Sequence, residues 1–274
     1  MAVTDTLVTA QASPHAQRES RLWVAARTAL PFLVLGALWE AAAHLGLFPE
    51  KLFPPLEKIA SAFYHLTLSG ILPMHVAQTL MRLFAGFALA AVVGVTLGIA
   101  MGRFRFAEDV FLPLVSIGAP IPGIAYAPLF MLWFDLGNKS AILVVGFVSA
   151  FPIVFNTWTG VKAVKDIWVR SAQVMGADNR RMFRQVILPG ALPYILTGLR
   201  LGIAQAWRIL VVVELLAAVP WGLGLLIFGA RQFLATDVML AGIAVIGIIG
   251  LAIEKLVFQR LEQATVVRWG MMTS

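Results

Sequence analysis

Three stretches of this chain carry no charged residue over twenty or more positions: 83–102, 110–134 and 140–161. A helix rises about 1.5 Å per residue, so about 20 apolar residues cross the roughly 30 Å hydrocarbon layer of a bilayer. Each stretch is long enough to do so. A helix of a soluble domain keeps a polar face and does not sustain such runs. The composition agrees, with 60% hydrophobic and 13% charged residues, where soluble domains carry about 25% charged residues. The chain is therefore read as all-α, a polytopic membrane helix bundle of the inner-membrane type.

Six transmembrane helices are expected, at 25–46, 78–102, 110–134, 140–161, 190–216 and 237–257. Positive charge flanking the spans sets their direction. Of 21 Lys and Arg residues, 14 fall on one side, Arg103, Arg105, Lys162, Lys165 and Arg184 among them. Four fall on the other side, Lys51, Lys58, Lys139 and Arg231, and Arg82, Arg200 and Arg208 lie in or close to spans. The split predicts both termini in the cytoplasm, with a tail at 1–24, a transmembrane domain at 25–260 and a tail at 261–274. Prolines 49, 54, 55 and 73 break the outer 47–74 loop. Behind Pro55 a short helix is expected along the outer surface.

The formal charge of +7 flanks apolar segments instead of forming one stripe, which argues for membrane lipid and against nucleic acid. No cysteine is present, so neither a disulfide nor thiolate chemistry is available. His15, His44, His65 and His75 have no metal-ligand spacing. No metal site or cofactor is expected in the chain. The first apolar segment begins near Ala25 and reads as retained, not as a cleaved signal.

The third span holds Pro113, Pro120, Pro122 and Pro128 with Gly118 and Gly123. It reads either as a kinked packing helix or as a broken helix lining a pathway, and in both cases it is expected to face protein. Glycines 86, 94, 98 and 102 in the second span allow close helix approach. Charges inside a span face a partner or a cavity. Arg200 lies near enough to the interface to snorkel. Arg208 and Glu214 lie deeper and six residues apart, so each is expected to pair with another span or a second copy, or Arg208 to meet an anionic solute.

Between the fourth and fifth spans the loop 162–189 reads as two short helices, about 163–175 and 179–187. Gly176 marks the break and Asp178 the N-cap of the second helix. Met182, Phe183, Val186 and Ile187 share one face of it, and Arg180, Arg181 and Arg184 lie toward the other. Pro189 is expected to end it. An amphipathic hairpin of this kind rests either on acidic lipid or on a partner protein.

Within this loop Arg170-Ser171-Ala172, three residues, Gly176, nine residues, Val186, one residue and Leu188-Pro189 stand in order. This resembles the cytoplasmic signature of permease subunits in binding-protein-dependent ABC importers, which opens on an acidic-Ala-Ala triplet. Arg170 and Ser171 depart from that opening. The resemblance covers about 75–260. The segments 113–137 and 187–216 resemble the branch importing nitrate, taurine and aliphatic sulfonates. It implies a type I ABC importer permease-like fold, with the hairpin as a coupling helix. Ala172, Gly176, Ala177, Met182, Phe183, Val186, Leu188 and Pro189 would then form the coupling element. Arg208, Glu214, Pro120 and Pro122 would serve the pathway or intramembrane pairing. It also implies a homodimer, two copies of an ABC ATPase subunit and a periplasmic solute-binding protein.

The chain has no G-x-x-x-x-G-K-[ST] run, so ATP and Mg are expected in the partner ATPase, and the chain itself is not expected to be an enzyme. Two other classes would leave different signatures. A secondary transporter or channel working without an ATPase is expected to show inverted repeats. A membrane-embedded enzyme would have only Glu40 and His44, four apart on one helix face, as a candidate pair.

Overall fold

The computed structural model describes residues 14–217 and 219–258. The expected tail 261–274 and residues 1–13 of the expected tail 1–24 lie outside them. Among the described residues the architecture is helical throughout. Four helices are long and apolar enough to cross a membrane, and a bent pair makes a fifth candidate.

The core is a row of three helices, α3 (Ile71–Arg103), α6 (Asn138–Lys162) and α9 (Leu188–Leu216). In hydrocarbon nothing squeezes apolar helices together, so close packing has to hold them. Here α3 sets Gly86, Gly94, Gly98 and Gly102, four or eight residues apart, against Val145, Ile153, Thr157 and Val161 of α6. The matching period of four lets the two backbones run side by side for four turns. Gly198 and Gly202 of α9 meet the same Ile153. Leu83, Val144, Val148, Ile203, Leu210 and Val213 fill the space between the three helices.

The expected first span falls on α1 (Pro14–His44), a continuous helix of 31 residues. It stands apart from the core, with Phe32, Leu33, Leu35 and Leu38 exposed. Its far end is tied to the following loop, where Trp39 stacks on Phe53 at 3.9 Å and its indole N–H donates to the Pro54 carbonyl at 3.0 Å. The short helix expected behind Pro55 is α2 (Leu56–Leu68), with Pro55 as its N-cap residue. Glu40 and His44 bond each other at 2.9 Å on an exposed face, and Glu40 also accepts the Leu56 N–H at 2.8 Å. These bonds clasp the end of α1 to the start of α2.

The third span is interrupted at its prolines and not merely kinked. Helix α4 (Arg105–Gly118) ends before Pro120, a 3₁₀ turn follows at Gly123–Tyr126, and α5 (Ala127–Phe134) leaves at 104° to α4. Pro120 and Pro122 offer no N–H to continue the ladder, and Pro122 disfavours helical geometry at Ile121. Pro128 sits in the first turn of α5, where its missing N–H costs nothing. The expectation that this span faces protein does not hold within one chain: of α4, the turn and α5, only Val115 and Ala127 are buried.

The fifth span differs from expectation at its start. Pro189 does not end a helix. Residues Asn179–Leu216 form one helical run, in which α8 (Asn179–Met182) passes through a π-helical turn, Phe183–Ile187, into α9. The Leu188 N–H bonds the Phe183 carbonyl, five residues back. The wider turn makes room for the Pro189 ring, which an ordinary α-turn would drive into a carbonyl. Two further helices complete the fold. Short α10 (Leu223–Gln232) had no sequence expectation, and α11 (Thr236–Ala252), extended by a π turn at Ile253–Phe258, matches the sixth span.

Candidate functional site

Three places on this frame carry chemistry, and the long helical run from Asn179 to Leu216 touches all three.

The first is a polar knot at the end of the core remote from the hairpin. Glu214, near the end of α9, is 0% exposed and meets Arg82 of α3, also 0% exposed, at 2.7 Å. Glu214 also accepts from the Thr79 hydroxyl at 2.9 Å and from the Gly224 N–H at 3.0 Å. Thr79 Oγ1 in turn accepts the Leu223 N–H at 2.9 Å. The Gly222 N–H donates to His75 Nδ1 at 2.9 Å. Arg82 Nε donates to Asn138 Oδ1, at the start of α6, at 2.7 Å. The knot thus joins α3, α6, α9 and the start of α10. The expected partner of Glu214 on another span is found, and it is Arg82. Arg82 Nη2 is a buried donor without a partner among the described residues.

The second is the hairpin. Helix α7 (Asp166–Val174) ends in a Schellman motif. The Ala177 N–H reaches the Ala172 carbonyl at 2.9 Å and the Gly176 N–H reaches that of Gln173 at 2.9 Å. Gly176 takes φ +77°, the left-handed conformation such a turn requires. A Cβ there would touch nothing within 4 Å, so glycine is needed for its backbone and not for space. Asp178 caps the next helix, its Oδ1 accepting the Arg181 N–H at 2.8 Å.

The apolar face of α8 and its π turn is turned inward. Met182 is 6% exposed and Ala172 likewise, while Phe183, Val186, Leu188 and Pro189 are half-buried. Arg103 lies over the Phe183 ring at 5.7 Å. Met182 therefore packs inside its own chain and is not on a free face, because the continuous helix lays that side against α3 and α7. The exposed apolar tip is formed by Val174 and Met175, 89% and 79% exposed, just before Gly176, with Ile167 and Trp168 on α7. Beside the hairpin, Glu108 of α4 accepts from Lys162 at 2.6 Å and from the Trp158 indole at 3.2 Å. The broken span is thereby tied to the end of α6.

The third place is a cavity of about 310 Å³ beside the break. Ala119 and Ile121 come from the break, Phe151, Pro152 and Phe155 from α6, and Leu201, Gln205 and Arg208 from α9. Arg208 Nη2 donates to Gln205 Oε1 at 2.9 Å. Among the described residues no carboxylate pairs with Arg208, so the expected partner on another span is not found within one chain. Pro120 and Pro122 are exposed here. Arg200 does not only snorkel; it pairs with Glu254 in the π turn after α11.

Comparison with known proteins agrees with this layout. The family model of binding-protein-dependent transport system inner membrane components matches residues 90–264. The taurine transport system permease protein TauC of Escherichia coli K12 is 39% identical over 228 residues, 81% of this chain and 82% of that protein. The putative aliphatic sulfonates transport permease protein SsuC of Bacillus subtilis 168 is 33% identical over 240 residues, 88% of this chain and 86% of that one. Among solved structures, a chain of the MetNI methionine ABC transporter, in an inward-facing conformation, superposes with a TM-score of 0.59 at 18% identity. It covers 71% of this chain and 96% of its own.

Proposed function

This chain belongs to the family of binding-protein-dependent transport system inner membrane components, and from that premise we propose that it forms the pathway of an ATP-driven importer for small sulfonates. Taurine and aliphatic sulfonates are named as cargo for the more similar relatives cited above, and riboflavin and nitrate for two others. In this reading two copies of the chain face each other across the pathway. Two copies of a separate ATPase, carrying ATP and Mg, dock on the hairpin, and a periplasmic solute-binding protein delivers cargo at the other end. In this reading the hairpin and both termini lie on the cytoplasmic side, which the 14-to-4 charge split supports.

The observation that carries the reading is the exposed apolar tip Val174–Met175, held by the Schellman turn at Gly176. The tip has few internal contacts to stabilise it, yet it is the start of a rigid connection. From Asn179 the helix runs unbroken to Leu216, past the Arg208 cavity to the Glu214 knot. A push on the hairpin tilts that helix as a rod, and through Lys162 and Glu108 it also reaches the broken span.

Two substitutions test the docking role. Met175→Asp puts a charge on the tip but disturbs no packed neighbour, so the stability of the chain should change by no more than about 0.5 kcal/mol. ATPase copurification should fall at least about tenfold, and taurine uptake with it. Normal copurification and uptake would remove the coupling role from this turn. Met182→Asp, in contrast, buries a charge and should lower membrane-inserted protein.

Gly176→Val forces a β-branched residue into the left-handed region, at a cost of roughly 1–2 kcal/mol or more. The hairpin should then splay while the spans stay inserted. Gly176→Asn, which tolerates this conformation, should retain most coupling. Equal uptake by Val and Asn variants would show that the turn geometry is irrelevant.

A further inference from the structure

We infer that Arg208 is the transit contact for the anionic head of the cargo, a guanidinium held in place by Gln205 beside the break in the third span. This rests on the importer reading above and adds the residue and the chemistry.

Arg208 stands eight residues before the end of α9, about 12 Å along the axis, and so within the membrane's depth. A charge there must face a counter-charge or water. Arg82 already occupies Glu214, the acidic group nearest it on α9. No carboxylate lines the cavity. What Arg208 does have is Gln205 Oε1 at 2.9 Å, a neutral acceptor that orients the guanidinium without neutralising it. Its remaining N–H donors form a planar fork suited to two oxygens of one oxyanion.

The rest of the wall fits a small organic tail. Phe151, Phe155 and Leu201 supply apolar surface, and Ala119 and Ile121 bracket Pro120 at the break. Backbone released by a broken helix is tolerated at membrane depth where it borders a cavity that admits water. The cavity therefore combines access, one fixed positive charge and apolar sides. Its volume of about 310 Å³ suits a compact solute such as a short alkanesulfonate. Two sources offer this chemistry, a sulfonate in transit and the phosphate of an anionic lipid, and the test separates them.

The chain has no cysteine, so Leu201→Cys supplies a single thiol in the cavity wall. The full chain, in nanodiscs of neutral phosphatidylcholine, is reacted with two methanethiosulfonates of similar size, one bearing an ethylsulfonate and one an ethyltrimethylammonium. With each rate taken relative to that reagent's rate with 2-mercaptoethanol in solution, the sulfonate reagent should be favoured at least tenfold over the cationic one. Adding Arg208→Gln should bring the two relative rates within about twofold, and Arg208→Lys should keep most of the preference. Taurine and ethanesulfonate at millimolar concentration should slow the reaction, and anionic phosphatidylglycerol in the nanodisc should not.

A thiol that reacts with neither reagent until the protein is denatured would overturn the inference, since the cavity would then hold no water. So would a preference that survives Arg208→Gln. Protection by phosphatidylglycerol but not by sulfonates would assign the site to lipid and overturn it as well. None of these measurements uses transport. Failure here leaves the importer reading standing, and failure of taurine uptake in the parent complex would instead count against that reading.

Discussion

Exchanging Glu214 for methionine will destabilise the bundle by about 3–5 kcal/mol, the range for removing one member of a buried ion pair. The exchange Arg82→Met will cost less. The asymmetry comes from what each variant leaves behind. Without Glu214, Arg82 remains buried with a charge it cannot shed, because a guanidinium stays protonated under all protein conditions. Its Nη2 already has no partner, and Nη1 would join it. The Gly224 N–H and Thr79 hydroxyl would lose their acceptor too. Without Arg82, Glu214 keeps both of those donors, and a lone buried carboxyl can take up a proton and become neutral.

The double exchange should recover most of the loss, since an apolar pair of similar volume often replaces a buried ion pair at little cost. Denaturant midpoints of the detergent-solubilised chain, taken as a double-mutant cycle, read all three terms. Equal losses for the two single variants would contradict the account. A double variant as unstable as Glu214→Met would do so as well.

Glu214 stood out in the sequence because a carboxylate inside a span needs a partner. Its partner did not, because Arg82 lies 132 positions away and periodicity reports only which residues share a face of one helix. Thr79, His75 and Asn138 were invisible for the same reason. The short helix α10, whose first N–H groups feed the knot, carried no pattern long enough to separate it from a loop.

The hairpin was more legible, since its signals are local. Gly176 at the break and Asp178 at the cap follow from backbone geometry that a few neighbouring residues determine. The facing of Met182 was misjudged because an apolar stripe shows that something covers it, not whether the cover is a partner or the same chain. Pro189 misled in a different way. Proline ends an α-helix, but the π turn at Phe183–Ile187 absorbs it, and no residue type announces such a turn. In the third span the crowding of Pro120 and Pro122 pointed to a break but left a kink equally open, and only the 104° angle decides it.

Gly98→Leu should separate two effects that membrane proteins usually confound, the apolarity of a span and its fit. The change makes α3 more apolar, so its insertion should be unimpaired or improved. Its packing cannot survive unchanged. Even the first added carbon, the Cβ, would lie 2.6 Å from Thr157 Cβ and 2.8 Å from the Val154 carbonyl oxygen. The second of these is backbone, which cannot rotate away, so α3 and α6 must move apart. Overpacking of this kind costs about 1–3 kcal/mol in soluble cores, occasionally more.

The expected loss here lies at or above the top of that range. The four glycine contacts of the seam share one pair of rods, and spreading the helices at Gly98 also loosens Gly94 against Ile153 and Gly102 against Val161. No hydrophobic force in the lipid drives the helices back together. Gly247→Leu is the control. It makes the same chemical change in a helix that is also a candidate span, at a site where a Cβ meets nothing within 4 Å. It should leave the thermal midpoint of the solubilised chain within the error of measurement, while Gly98→Leu lowers it by several degrees or abolishes the folded fraction. Equal behaviour of the two variants would mean that α3 and α6 are not held by the fit of this seam.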